Sequence, residues 1–122
     1  MPYNVTLDEG EGIISVVLSA KLTHADHCSV LEEVLQAHQA TGSSRVLVDM
    51  RDLDTTLSST VDCFSFGESL AKTVPCARIA HVAPLDAKSR KDVAFTSTVE
   101  TNRGIICAHF ENVDEAKRWL LK

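Results

Sequence analysis

The chain has 122 residues, 44% hydrophobic, 24% charged and only 5% aromatic, with a formal net charge of -5. Such a composition fits one globular domain over residues 1–122 with an aliphatic core, and it excludes the disordered and membrane-embedded classes. The acidic balance offers no positive field for a phosphate backbone, so no nucleic-acid partner is expected, and the longest apolar run, Ile13-Ile14 with Val16-Val17-Leu18, falls far short of the ~20 residues of a spanning helix.

Tyr3, Val5 and Leu7 alternate with Asn4 and Thr6, the period-two mark of a strand with one buried face, hence an edge. Glu9-Gly10-Glu11-Gly12 turns the chain into a second strand from Ile13 to Leu18, apolar on both faces apart from Ser15, so the two strands read as a hairpin. Thr23 and Asp26 have capping-box spacing ahead of the helical stripe Val30, Leu31, Val34, Leu35 and His38, which ends near Gly42. Arg45 to Asp49 is the third strand, buried on two faces through Val46, Leu47 and Val48.

Beyond it, Asp52-Leu53-Asp54-Thr55-Thr56-Leu57-Ser58-Ser59-Thr60 leads from a strand end into a helix. The ground past the carboxyl ends of strands in an open α/β sheet is where ligands and partners meet the protein. That second helix places Cys63, Phe64, Gly67, Leu70, Ala71 and Val74 on one stripe before Pro75 stops it, with Phe64 and Phe66 on opposite margins. Ala77 to Ala83 is the fourth strand, and Asp86 caps a third helix expected to turn Ala94, Phe95, Thr98 and Val99 inward. Ile105 to Phe110 is the fifth strand, and Asn112 with Glu115 caps a last helix with Val113, Ala116 and Leu120 inside. The order ββαβαβαβα implies an α/β fold: a mostly parallel five-stranded sheet begun by an antiparallel hairpin, with about four helices.

Two roles are open for Ser59 at the start of the second helix. A serine hydroxyl there caps an orphan backbone N–H, and a phosphoryl group in the same place would meet the positive end of the helix. Lys88, Arg90 and Lys91 lie in the first turn of the third helix, where cations oppose the macrodipole. They read either as a solvated face balanced by Asp86 and Asp92 or as an anion site. His24 and His27 sit one turn apart, yet no third residue completes a metal-ligand spacing, and ligands elsewhere would have to converge from distant elements; no metal or cofactor is expected. Cys28, Cys63, Cys76 and Cys107 are scattered and read as reduced thiols. His81 and His109 fall within strands and read as satisfied side chains, since a proton relay needs an acid within reach.

The strand and loop Val46-Leu47-Val48-Asp49-Met50-Arg51-Asp52-Leu53, the strand Ala77-Arg78-Ile79-Ala80-His81-Val82-Ala83 and the ending Phe110-Glu111-Asn112-Val113-Asp114-Glu115-Ala116-Lys117-Arg118-Trp119-Leu120 together resemble the SpoIIAA-like family. That resemblance implies the STAS-type fold of bacterial anti-sigma factor antagonists, with a further similarity to CRAL-TRIO lipid-binding domains. In anti-sigma factor antagonists the corresponding loop ends in Asp-Ser-Ser-Gly, whose second serine is phosphorylated by a partner kinase. The matching residues here are Leu57-Ser58-Ser59-Thr60, which keeps both serines, places Ser59 at the acceptor position, and replaces the acidic residue and the glycine.

The expectation is therefore a non-enzymatic, cytoplasmic regulatory or interaction module. It would meet a protein partner of the kinase or anti-sigma type, with Ser59, or Ser58, as phosphoacceptor and a homodimer by analogy. The alternative is a small carrier for a hydrophobic or amphipathic anionic ligand, held beneath the second helix near Phe66 and anchored by Lys88, Arg90 or Lys91. No nucleophile elbow, Gly-rich phosphate loop or Cys/His pair argues for catalysis.

Overall fold

The computed structural model describes residues 2–8, 10–56 and 59–122. Nine elements follow one another: β1 (Tyr3–Asp8), β2 (Ile13–Ala20), α1 (His24–Thr41), β3 (Arg45–Leu53), α2 (Thr60–Thr73), β4 (Arg78–Val82), α3 (Ala87–Thr101), β5 (Ile106–Phe110) and α4 (Val113–Leu120). The expected ββαβαβαβα order is what folds. The strands lie side by side in sequence order, β1-β2-β3-β4-β5. The β1/β2 pair is antiparallel and every later pair is parallel.

That order decides where the helices go. Three successive crossovers step across the sheet in the same direction, and right-handed crossovers then place α1, α2 and α3 on one face. Val30 and Val34 of α1, Leu70, Ala71 and Val74 of α2 and Val93 of α3 accordingly pack on Ile14, Val16, Val46, Val48 and Ile79. The alternate residues Ile13, Leu47, Ala80 and Val82 point the other way and meet Ala116 and Leu120 of α4. Trp119 packs at a tilt against Phe110 and lies 4.3 Å beneath the Arg78 guanidinium, whose Nη2 donates to the Trp119 carbonyl at 3.0 Å. The Glu-Ala-x-x-Trp-Leu ending is thus the segment that closes the second face.

Local chemistry sets the ends. Thr23 and Asp26 form a reciprocal capping box at α1, Asp86 caps α3 and Asn112 caps α4, while Gly42 leaves α1 at φ 73°, a conformation that favours glycine. Three packing expectations are corrected, the first at Phe64, expected on the inner stripe of α2 but 40% exposed with the Arg103 guanidinium over its ring. Val17 is 40% exposed, because α4 reaches β3, β4 and β5 and leaves the outer face of β2 uncovered there. In α3 the inward stripe is Ser89, Val93, Ser97 and Glu100 with Val99, and Ala94, Phe95 and Thr98 face out. Polar residues occupy the inner positions of α3 because partners wait for them on the sheet.

Candidate functional site

The carboxyl end of β3 opens onto a polar hinge between α2 and α3. Asp54 N–H donates to the Ala20 carbonyl at 2.9 Å, and Asp54 Oδ1 accepts from Thr56 N–H, an Asx turn that bends the chain. Thr55, 6% exposed, is then carried inward, where its N–H donates to Ser89 Oγ at 3.0 Å. Its hydroxyl lies 2.6 Å from Asp92 Oδ2 and 3.2 Å from Ser89 Oγ. A carboxylate only accepts, so the Thr55 hydroxyl donates to Asp92 and the Ser89 hydroxyl donates to Thr55. Lys88 Nζ closes the ring by donating to the Thr55 carbonyl at 2.7 Å and to Asp92 at 2.6 Å. Burial raises the Asp92 carboxyl, and the hydrogen bonds from Lys88 and Thr55 outweigh it and hold it below the ordinary range.

Ser59 follows four residues later as the exposed N-cap of α2, in extended backbone conformation. Its Oγ accepts from Asp62 N–H at 3.1 Å, and its own N–H donates to Asp62 Oδ2 at 3.0 Å. These bonds hold the Asp62 carboxyl below its usual range. Leu57 and Ser58 lie outside the described residues. Across from the cap, the His27 ring of α1 packs against Phe66 at a tilt, 4.9 Å between ring centroids; burial lowers its pKa and the Asp62 charge opposes that.

Beneath α2 is a cavity of about 60 Å³ lined mainly by apolar side chains, including Leu18, Val48, Met50, Phe66 and Leu70. Cys63 and His81 also line it. Burial pushes the Cys63 thiol up, and the Asp92 charge adds to the rise. The structure therefore brings Phe66 to a cavity and ties Lys88 to the loop before Ser59. Arg90 is elsewhere: its Nε donates to the Pro84 carbonyl at 2.7 Å and its Nη2 pairs with Glu111 at 3.0 Å. Lys91 is exposed. Both Lys88 and Arg90 face carboxylates of the protein itself.

A second polar cluster lies below α3. His81 of β4 is 3% exposed and Glu100, in the last turn of α3, is 0% exposed; their Nε2 and Oε1 are 3.0 Å apart. Cys107 of β5 donates its S–H to the same Oε1 at 3.5 Å. His109 stacks on His81 with centroids 5.1 Å apart, and its Nε2 meets Ser97 Oγ at 3.1 Å. Burial alone would lower His81, and the hydrogen bonds with Cys107 and Glu100 together with the Glu100 charge raise it to about 9. Burial and the His81 charge lower His109. Glu100 is the acid within reach that strand spacing did not show. Its signal was faint but present: Ser89, Val93, Ser97 and Glu100 recur at helical spacing, although three of the four are polar.

An α/β sheet with three helices on one face and a capped serine after its central strand has the architecture of a STAS-type regulatory or interaction domain. Residues 13–121 match the SpoIIAA-like family, and the chain belongs to it. No curated protein matches the chain. No helix among the described residues is long and apolar enough to cross a membrane.

Proposed function

We propose that residues 1–122 act as one non-enzymatic, cytoplasmic regulatory domain that binds a protein partner at the start of α2 and is switched by phosphorylation of Ser59. One observation carries the reading: Ser59 is exposed, and its hydroxyl is half of a reciprocal box with Asp62. A phosphoryl group on that oxygen brings roughly two negative charges beside the Asp62 carboxylate, so the two acids cannot both keep their places. The helix N-terminus favours the phosphate, and Asp62 is the group displaced. Modification would then reshape the first turn of α2, where Val61 stands 70% exposed as an apolar contact for a partner.

Incubating the protein with ATP and an extract of its own cells, followed by phosphosite mapping, tests this. Phosphate on Ser59 that disappears in Ser59→Ala supports the switch. Unmodified Ser59 under conditions where other substrates in the extract are labelled counts against it. Self-association as a C2 dimer is part of the same reading, by analogy with soluble oligomers in general, and static light scattering of the purified chain checks it.

The cavity beneath α2 favours a second reading, a carrier for an amphipathic ligand with its apolar part against Phe66 and its charge near Lys88. Size limits it. About 60 Å³ is less than half of the ~150 Å³ known to admit one benzene ring, so a lipid would have to displace α2. Native mass spectrometry of freshly purified protein distinguishes the two: a co-purifying lipid or fatty acid supports the carrier, and a ligand-free chain leaves the switch.

A further inference from the structure

His81, Glu100 and Cys107 come from three elements, and nothing in the switch at Ser59 uses them. We propose that these three side chains bind a zinc-class divalent cation. Their ligating nitrogen, oxygen and sulfur atoms all lie within 4.8 Å of one another. The backbone fixes that convergence: β4 and β5 pair with Ile79 opposite Cys107 and His81 opposite His109, so both side chains rise from the same sheet face, and Glu100 comes down from the end of α3. Regular elements, not loops, carry all three, which is how a site is held to a fixed geometry.

The donor set selects the ion. Magnesium and calcium take oxygen ligands, whereas a thiolate, an imidazole and a carboxylate suit zinc and its borderline neighbours. Charge points the same way. The two positive charges of the ion equal those of one thiolate and one carboxylate, with the imidazole neutral, so the buried site would carry no net charge. The hydrogen bonds seen in the triad leave two of its atoms unexplained: among the described residues, neither Glu100 Oε2 nor His81 Nδ1, both buried, has a partner. A cation held by the carboxylate satisfies the first of these. Three protein ligands is also the number found where zinc keeps one position for water or a small molecule, and His81 lines the cavity beneath α2. The ion would then lie beside that cavity.

The inference does not depend on Ser59, and its test is separate. The tag-free full-length chain, stripped with a chelator, is titrated with Zn²⁺ and, in parallel, with Co²⁺. The expected result is one ion per chain and, for Co²⁺, a strong near-ultraviolet thiolate charge-transfer band. Cys107→Ser should remove the band and weaken zinc binding by at least about tenfold. Cys28→Ser, which removes the exposed thiol 3.6 Å from His24 Nε2, should change neither. Should Cys107→Ser fail to fold, X-ray absorption of the zinc-loaded parent chain decides by showing one sulfur and the rest nitrogen or oxygen around the metal. Substoichiometric binding, a band that survives in Cys107→Ser, a band lost in Cys28→Ser, or a metal shell without sulfur overturns the proposal.

Discussion

Ser59 holds two hydrogen bonds of α2 in place, one through its hydroxyl and one through its amide. Ser59→Ala keeps the amide and loses the hydroxyl, so it should destabilise the fold by about 1 kcal/mol, read as a lower urea midpoint with an unchanged slope. Ser89 is a harsher case. It is fully buried, and without its oxygen the Thr55 N–H has no acceptor and the Thr55 hydroxyl loses a donor. Ser89→Ala is expected to cost about 1–3 kcal/mol, and amide exchange should rise at Thr55 before it rises in β3. Equal protection at Thr55 in both proteins would show that the ring does not hold the loop. A capping serine before a helix can be read from sequence, because the rule is local. The Thr55, Ser89 and Asp92 ring cannot, because its partners are 34 and 37 residues apart and their meeting depends on how α2 and α3 pack.

The seam between α2 and α3 sets that packing, and Gly67 sets the seam. A Cβ at Gly67 would stand 2.9 Å from the Thr96 carbonyl oxygen and 3.2 Å from Val99. Gly67→Ala recovers about 1 kcal/mol of helix propensity and meets about 1–3 kcal/mol of overpacking, so a small net loss is expected. Gly67→Leu should lose more, since a larger side chain has to push the helices apart. An alanine variant more stable than the parent in urea would mean the seam is looser than these distances. Elements were legible wherever apolar residues recur at the right period: the five strands, α1, α2 and α4 all announce themselves. The inner face of α3 did not, because Ser89, Ser97 and Glu100 are buried by hydrogen bonds to other elements, and a hydrophobic reading turns Phe95 inward instead. The His81, Glu100 and Cys107 cluster stayed hidden for a related reason. Its members are separated by 19 and 7 residues, spacings that belong to no local motif and acquire meaning only through the register of β4 on β5.

Across the whole molecule, several carboxylates are held below the ordinary pKa of 3.8: Asp49 by its hydrogen bond from Arg51, and Asp62 and Asp86 by the N–H groups they cap. A carboxyl depressed on folding contributes stability above its unfolded pKa and loses it as pH falls through the folded value. The share of the urea midpoint that Asp62 sets, read as parent minus Asp62→Asn so that the shifted His27, His81 and His109 cancel, should therefore hold between about pH 7 and 5 and drop below about pH 4. A share still constant at pH 3 would contradict the assignment. Strand order, unlike strand content, was not readable from the sequence, since the crossover rule fixes the hand of each step but not which neighbour it reaches. The observed order has a consequence for how the chain assembles. Each strand pairs with the one made just before it, so the sheet can grow as the chain emerges during synthesis, with β1 to β4 in place before β5 exists. Glu100 is made before Cys107, and its Oε1 lacks the Cys107 hydrogen bond until β5 docks beside β4. Closing that last edge strand is thus the step that completes the polar cluster, and a nascent chain stalled at the end of α3 would hold Glu100 without its Cys107 partner.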